Sequence, residues 1–162
     1  MQRLIIDIGN SSAKVATFEG DNLVWHVRVE HAELPALLAA KALDSAIQAA
    51  ILSSVIPLSE ELERVVATLP YPCLRMSATL KMPFRIAYET PDTLGPDRLA
   101  AVAEAWTQKP GNDLLIIDVG TAITYDIVTA DGIYRGGNIS PGISMRFKAL
   151  HHFTGKLPMV DK

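Results

Sequence analysis

One short pattern occurs twice in this chain, and it restricts the fold more than any other feature of the sequence. Residues 4–9 read LIIDIG and residues 115–120 read LIIDVG, so an apolar run ends in Asp-x-Gly at both places. Small or hydroxyl residues, alternating apolar residues and a turn follow each copy, with EGDN at 19–22 and TADG at 129–132. Each copy therefore predicts one β-hairpin.

The distance between the copies indicates two related halves with a cleft, because the repeats of a solenoid recur at about 20–50 residues. Glycine lets a ligand approach the backbone, and N–H groups and small hydroxyls at such a turn can hold phosphate oxygens. The carboxylate can hold a cation or its water. Asp-x-Gly also occurs in ordinary tight turns, where the aspartate bonds its own backbone. The second copy favours two turns that clamp a nucleotide polyphosphate.

Composition narrows the class of protein. The 162 residues are 49% hydrophobic and 20% charged, which is enough for one domain or two small ones. The formal charge of −3 is not arranged in blocks, so we expect no nucleic-acid partner. Cys73 is the only cysteine, and no apolar stretch approaches the ~20 residues of a membrane span. We expect a soluble, cytoplasmic protein without membrane contact.

Strand and helix patterns alternate along the chain. Short apolar runs predict strands around AAILSSVIP, YPCLRMS and PFRIAYE. Helices are predicted over 34–43, over 59–69 behind a Ser-x-x-Glu start, from 95 to about 110, and from 143 to about 153. The second Asp-x-Gly strand begins directly after the third helix. This predicts a first domain over 1–112 and a second over 113–162.

The segment TLGPDRLAAVAEAW holds a third candidate for function. Gly95 and Pro96 suit a helix start, which places Asp97 in the first turn, where an acidic residue gains ~0.3–1 kcal/mol from the helix dipole. The dipole does not explain Arg98 in the same turn. An adjacent Asp-Arg pair can orient a proton while it binds a carboxylate. Spacing alone leaves the structural and the catalytic interpretation equally open.

Six segments together resemble one known family. DIGNSSAK, SSVIP, TLGPDRLAA, DVGTAITYDIV, GGNISPGI and ALHHFTGKLP occur in the order found in type III pantothenate kinases. The resemblance implies an α/β fold of the actin-like ATPase type, with two ribonuclease-H-like halves whose mixed sheets are flanked by helices. It also implies a homodimer that transfers the ATP γ-phosphoryl group to pantothenate, the first step of coenzyme A synthesis. The implied cofactors are Mg²⁺ and a monovalent cation, K⁺ or ammonium.

The resemblance also implies roles for individual residues. The implied phosphate and ATP contacts are Asp7, Gly9, Asn10, Ser11, Lys14, Gly120, Thr121 and Thr124. Asp118 matches the residue that binds the monovalent cation, and Asp7 is a candidate Mg²⁺ ligand through water. In the Gly-x-Asp-Arg signature, Gly95 and Arg98 contact the substrate, and Asp97 both contacts it and acts as general base. Tyr88 matches a tyrosine that lines the pantothenate pocket.

The sequence departs from the family mainly in length. Family members continue past the LP at 157–158 with further strands and helices, so we expect the second half to be incomplete. One hairpin, a third strand and one helix cannot cover the apolar face of that half. We therefore expect weak or no kinase activity from these 162 residues alone.

Two other functions stay open at this point. The family includes proteins described as accessory factors for transcription, and a short chain could be such a factor or an inactive kinase. Another small-molecule kinase or phosphatase of the same fold would keep the two turns without the Gly-x-Asp-Arg signature. His151-His152 is a weak candidate for a metal pair, because adjacent helical residues point about 100° apart. Cys73 is read as a packing residue.

Overall fold

Strands and helices alternate in the structure much as the apolar pattern predicts. The computed structural model describes residues 1–160. The strands are β1 (Gln2–Ile8), β2 (Ala13–Glu19), β3 (Asn22–Val29), β4 (Ile47–Ser54), β5 (Cys73–Arg75), β6 (Arg85–Ile86), β7 (Leu114–Val119), β8 (Ala122–Thr129) and β9 (Ile133–Pro141). The helices are α1 (Leu34–Lys41), α2 (Glu60–Ala67), α3 (Pro96–Gln108) and α4 (Ile143–Phe153). The expected α/β class with two mixed sheets flanked by helices is confirmed.

All four predicted helices form, and their ends follow the predicted signals. Ser59 is the N-cap of α2, where its Oγ accepts a hydrogen bond from the backbone N–H of Leu62 at 3.2 Å. Pro35 lies in the first turn of α1, where a missing N–H costs nothing. The strands predicted in YPCLRMS and PFRIAYE shrink to three and two residues.

The chain forms two compact units. The first unit contains residues 1–80 together with Gly95–Asp97, and the second contains Lys81–Leu94 and the chain from Arg98 onward. The short 3₁₀ turn Pro91–Thr93 lies in the second unit. The domain boundary predicted between 112 and 113 concerns the family fold and stays a prediction.

The first unit is built on a five-stranded sheet in the order β3-β2-β1-β4-β5. β1 and β3 run antiparallel to β2, while β4 runs parallel to β1 and β5 parallel to β4. Alternate residues of β1 point into one core, because side chains alternate across a strand. The apolar faces of α1 and α2 pack into the same core. That core includes Leu4, Ile6, Ile8, Val15, Leu34, Leu38, Leu52, Leu62 and Val66.

The second unit contains a smaller sheet in the order β6-β9-β8-β7. β7, β8 and β9 are antiparallel, and β6 pairs parallel to β9. Leu99 and Val102 on α3 are fully buried, as are Val128 and Tyr134 on the sheet. The rings of Phe84 and Tyr134 meet edge to face with centroids 5.8 Å apart.

The two hairpins differ in the length of their loops. Ile8 pairs with Ala13 across the first loop, whereas Val119 pairs with Ile123 across the second. The repeat therefore matches residue by residue as far as the glycine, and the second loop is shorter by one residue. Residues that match in the repeat after the glycine therefore lie on opposite faces of their sheets, because a shift of one residue moves every side chain of a strand to the other face.

The repeated strand also differs in burial. In β1 the residues Leu4, Ile6 and Ile8 are 0%, 0% and 1% exposed. Their counterparts in β7, which are Leu115, Ile117 and Val119, are 61%, 52% and 63% exposed. The first unit thus buries a face of the repeated hairpin that the second unit leaves open, which confirms that the second sheet is small and incompletely covered.

This contrast predicts opposite outcomes for one substitution at equivalent positions. Ile6→Ala should lower the free energy of unfolding by about 2–5 kcal/mol, because it leaves a cavity in a closed core. Ile117→Ala should change it by no more than about 0.5 kcal/mol, because the side chain already contacts solvent. Urea denaturation followed by circular dichroism measures both, and equal losses would contradict the described burial.

Candidate functional site

The first Asp-x-Gly turn is a four-residue loop held from two directions. The backbone N–H of Gly9 donates to the carbonyl of Ser12 at 3.1 Å and closes the loop. His31 Nε2 donates to the carbonyl of Gly9 at 2.9 Å, and Arg28 Nε donates to Ser12 Oγ at 2.7 Å. The loop therefore has a fixed backbone, and the exposed residues Asn10 and Ser11 lie at its tip.

Asp7 lies in a row of polar side chains that crosses three strands. It pairs in register with Lys14 on β2 and with Ser53 on β4, so the three side chains share the face opposite the core. Lys14 Nζ lies 3.8 Å from Asp7 Oδ2, and both groups are open to solvent. Such an exposed pair is weak, so the ammonium can turn toward an incoming anion. The row offers a carboxylate, a cation and a hydroxyl beside the loop.

Ser53 is a member of this row that the sequence analysis did not single out. Its Oγ is buried and has no hydrogen-bond partner within residues 1–160. In the sequence, the segment SSVIP indicates only a strand end and a family motif. Only the parallel pairing of β1 with β4 places Ser53 beside Asp7.

The second Asp-x-Gly turn is shorter and is supported by the junction of β9 and α4. Gly120 N–H donates to the carbonyl of Ala122 at 2.9 Å, and Gly142 N–H donates to the carbonyl of Thr121 at 3.0 Å. A Cβ at position 142 would lie 2.3 Å from the Gly120 oxygen and 2.4 Å from the Thr121 oxygen. Only glycine allows this approach, so the glycine-rich segment shapes the turn.

The environments of the two repeated aspartates differ in charge. Asp118 pairs in register with Thr124, at the position where Asp7 faces Lys14. Asp118 therefore faces a hydroxyl instead of an ammonium group. A carboxylate and a hydroxyl oxygen are ligands that a hard cation accepts.

A buried ionic cluster connects α3 with the second sheet. Arg98 Nη2 lies 2.6 Å from Asp126 Oδ1, and Arg98 Nε donates to the same carboxylate at 3.0 and 3.2 Å. The hydroxyl of Tyr134 donates to Asp126 Oδ1 at 2.6 Å. The side chains of Arg98 and Asp126 are only 8% and 1% exposed. Because the pair is desolvated, removing either partner would strand a buried charge.

The cluster shifts the pKa of two of its members. Burial alone would lower the pKa of Arg98, but the hydrogen bond and charge of Asp126 outweigh burial and raise it. Burial raises the pKa of Tyr134 far above its ordinary value, and the hydrogen bond to Asp126 adds to the effect. The guanidinium therefore stays charged and the phenol stays neutral across the physiological range.

Asp126 and Tyr134 were missed by the sequence analysis. Asp126 lies in the alternating run ITYDIV, where one acidic residue looks like part of a solvated face. The signal that could have revealed it is Arg98, a cation that the helix dipole disfavours at the start of α3. A buried carboxylate partner accounts for that cation.

Tyr88 lies against the second sheet, and Asp97 is the neighbour of Arg98 in the sequence. The ring of Tyr88 lies against Gly136, where an added Cβ would come within 2.5 Å of Tyr88 Cδ2 and where φ is +86°. Tyr88 also contributes to the raised pKa values of Arg98 and Tyr134. Asp97 is partly buried in the first turn of α3, directly before Arg98.

The structure distributes the predicted site residues over both units. The first unit holds Asp7, Gly9, Asn10, Ser11, Lys14, Gly95 and Asp97, and the second holds Tyr88, Arg98, Asp118, Gly120, Thr121 and Thr124. Within the second unit, Asp118, Thr124 and Asp126 lie on one face of the sheet, because their strand positions alternate in step. The Arg98 cluster and the predicted cation residue therefore share a sheet face.

The weaker candidates have local explanations. Within residues 1–160, no three His, Cys, Asp or Glu side chains are grouped so that they could hold a metal ion. His151 Nδ1 donates to the carbonyl of Leu157 at 2.8 Å. Burial raises the pKa of the Cys73 thiol, which disfavours the reactive thiolate. In this described part of the chain, every helix is too short or too polar to cross a membrane.

Sequence comparison finds one family over nearly the whole chain. The sequence profile of type III pantothenate kinases matches residues 3–162. A type III pantothenate kinase of Phocaeicola vulgatus is 48% identical over 160 residues, which cover 98% of this chain and 65% of that protein. The chain thus spans about two-thirds of the length of the curated relatives that it matches.

Solved structures show the same fold. A Campylobacter jejuni protein described as a "conserved putative Baf family transcriptional activator" has a TM-score of 0.60 and 25% identity, over 93% of this chain and 60% of that one. A Sinorhizobium meliloti protein described as a "putative 2-dehydro-3-deoxygalactonokinase" has a TM-score of 0.56 and 14% identity, over 94% of this chain and 57% of that one. The latter likeness concerns the fold alone.

The buried cluster predicts a large cost for a nearly isosteric change. Asp126→Asn should lower the free energy of unfolding by about 3–5 kcal/mol, because Arg98 would remain buried without its counter-charge. Asp131→Asn, which removes the exposed partner of Arg135, should cost much less and serves as the control. Chemical denaturation of the three proteins measures the difference, and equal effects of the two substitutions would show that the cluster is not desolvated.

The raised pKa of Tyr134 predicts a loss of stability at high pH. Below about pH 10 the residue is neutral in both the folded and the unfolded chain, so its contribution is fully present. Above that pH the unfolded chain ionises first, and stability falls as pH rises toward the folded-state pKa. The free energy of unfolding should therefore fall less steeply between about pH 9 and 11 in Tyr134→Phe than in the unmodified chain. Identical slopes would contradict the described environment.

Proposed function

The chain belongs to the type III pantothenate kinase family, and from this premise we propose that it provides the phosphate-binding and proton-accepting parts of an enzyme that phosphorylates pantothenate with ATP. The product would be 4'-phosphopantothenate, in the first step of coenzyme A synthesis. One observation carries the proposal: two hairpins of the same build each present an aspartate at the end of their first strand, beside a glycine turn.

Each of the two turns would contribute its own contacts to the nucleotide. The backbone of Gly9, Asn10 and Ser11, with the ammonium of Lys14, would bind phosphate oxygens on the first unit. Asp7 would hold Mg²⁺ through water, and this ion would neutralise charge on the transferred group. On the second unit, Gly120, Thr121 and Thr124 would contact the nucleotide.

The monovalent cation would bind at Asp118. The different neighbours of the two repeated aspartates support this assignment, since Asp7 has a neighbouring ammonium group and Asp118 has the Thr124 hydroxyl. Either K⁺ or ammonium suits a carboxylate with neighbouring hydroxyl and carbonyl oxygens.

Asp97 would accept the proton of the pantothenate hydroxyl at its carboxylate. Phosphoryl transfer through a loose transition state needs positioning more than a strong base, so the placement of this carboxylate matters most. Gly95, Arg98 and Tyr88 would contact the substrate. The bidentate bond from Arg98 to Asp126 would hold the first turn of α3 in one position, which supports a fixed location for Asp97.

The whole protein would act as a cytoplasmic homodimer, as the family resemblance implies. A binding role in transcription is the second candidate, supported by the likeness to the Campylobacter jejuni protein. It is the weaker one, because a binding protein has no need of Asp97 beside Arg98 and two phosphate turns.

Activity is tested most directly in two forms of the protein. The first is the chain itself, incubated with ATP, Mg²⁺, K⁺ and pantothenate, where we expect weak or no formation of 4'-phosphopantothenate. The second is a chimera in which this chain replaces the matched part of the Phocaeicola vulgatus relative, where we expect clear turnover. A folded chimera that binds ATP but does not phosphorylate pantothenate would refute the proposed reaction.

Asp97→Asn in the chimera should lower kcat by about 10²–10⁴-fold, because the amide cannot accept the proton. The Kd for ATP should change little, since the carboxylate acts on the acceptor hydroxyl. Asp92→Asn, at an exposed carboxylate in the nearby 3₁₀ turn, is the matched control and should leave kcat unchanged. A similar loss of ATP affinity and of turnover in Asp97→Asn would argue against the general-base role.

A further inference from the structure

We propose that Arg28 is a second cationic contact for the phosphate groups of the nucleotide, held in place for that contact by its hydrogen bond to Ser12 in the first Asp-x-Gly loop. The inference rests on the proposed function and adds a residue to it. Arg28 lies on β3, outside every motif that the sequence analysis singled out. The ligand class is a nucleoside polyphosphate whose anionic chain lies at the first loop.

Arg28 extends the polar row of Asp7 by one more strand. Lys14 on β2 pairs in register with Asp7 on one side and with Arg28 on the other. Because register partners lie on the same face of a sheet, the row runs from Ser53 through Asp7 and Lys14 to Arg28. Two cations and one carboxylate give this row a surplus of one positive charge beside the loop.

The guanidinium of Arg28 is attached to the loop by one of its three nitrogens. Nε donates to Ser12 Oγ at 2.7 Å, and Ser12 is buried whereas Arg28 is exposed. This bond uses the single N–H of Nε, so the four N–H groups of the two terminal nitrogens stay outside it. Among residues 1–160, Arg28 forms no ion pair. A guanidinium held in this way can bind two phosphate oxygens at once, which an ammonium group cannot do.

The backbone of the same loop is arranged to accept an anion. His31 Nε2 donates to the carbonyl of Gly9 at 2.9 Å, and the N–H of Gly9 donates to the carbonyl of Ser12 at 3.1 Å. Two carbonyl oxygens that would repel a phosphate group are therefore paired within the protein. This leaves the tip of the loop, Asn10 and Ser11, as the part that meets the anion beside Arg28.

The second hairpin lacks this arrangement of charge. Its equivalent row consists of Asp118, Thr124 and Ile139, since Thr124 pairs with Asp118 on one side and with Ile139 on the other. Ile139, at the position that corresponds to Arg28, is an exposed apolar residue. The two turns share their aspartates but differ in the neighbouring strands. The positive charge that a polyphosphate needs is thus concentrated on the first turn.

The test measures the Kd for ATP in the chimera of this chain with the Phocaeicola vulgatus relative, by calorimetry without pantothenate. Arg28→Gln should raise the Kd about 10–100-fold, the loss expected for charge-assisted hydrogen bonds. The Kd should also depend less steeply on NaCl at constant KCl, because one fewer exposed charge acts on the anion. Arg3→Gln is the matched control, since Arg3 is an exposed arginine on the same face at the other end of β1, and it should leave the Kd unchanged.

Ser12→Ala distinguishes a phosphate contact from a purely structural tether. It removes the acceptor of the Nε bond and keeps the guanidinium, so the Kd for ATP should rise less than about tenfold and its salt dependence should stay steep. A tether without phosphate contact predicts equal losses in Ser12→Ala and Arg28→Gln. Arg28→Lys keeps the charge without the paired N–H groups, and its Kd should lie between those of the unmodified protein and Arg28→Gln.

An unchanged Kd in Arg28→Gln, an equal loss in Ser12→Ala, or the same loss in Arg3→Gln would overturn the proposal. Circular dichroism and urea denaturation verify that each variant folds. If Arg28→Gln does not fold, Arg28→Lys replaces it, and an unchanged Kd in that variant would overturn the proposal. Binding is measured without turnover, so a chimera that needs Arg28 for ATP but does not phosphorylate pantothenate would refute only the proposed reaction.

Discussion

The alternation of side chains along the repeated strand is the constraint on which the rest of the structure depends. In β1 the even positions Leu4, Ile6 and Ile8 are buried, and this places Asp7 on the opposite face beside the turn. The same alternation in β7 places Asp118 on the face opposite Leu115, Ile117 and Val119. A carboxylate can be held beside the turn at a strand end only if the neighbouring apolar residues fix which way the strand faces. The burial of the apolar residues on one face of the strand thus determines where the carboxylate lies on the other face.

The second unit satisfies this constraint only in part. It buries the face that carries Asp126, using α3 and the ionic cluster of Arg98, Asp126 and Tyr134. On the opposite face, Leu115, Ile117 and Val119 are exposed within the described residues. The cluster also gives Arg98 a protein partner next to the proposed general base Asp97. A buried bidentate pair restrains the start of a helix more than exposed polar contacts could, because breaking it strands a charge.

Local signals in the sequence explain which predictions succeeded. The helix starts at Ser59 and Pro96 and both hairpins depend on turn and capping chemistry within a few residues, so they could be read directly. The residues that hold the candidate site in place could not be predicted from local signals. Arg28 and His31 contact the first loop from 16 and 22 residues away, and Arg98 meets Asp126 across 28 residues. Such pairings arise only after strands and helices have packed.

The sequence by itself determined the two hairpins, the four helices, the α/β class and the positions of the carboxylates at the strand ends, because these follow from periodicity and local turn preferences. Tertiary structure alone decided that the second loop is one residue shorter, that Ser53 joins the row of Asp7, and that Arg98 is paired with a buried carboxylate. It also decided that nearly identical strands, β1 and β7, have opposite exposure. The physical reason is that burial belongs to the neighbours a strand acquires, and the strand's own residues do not specify whether those neighbours are present.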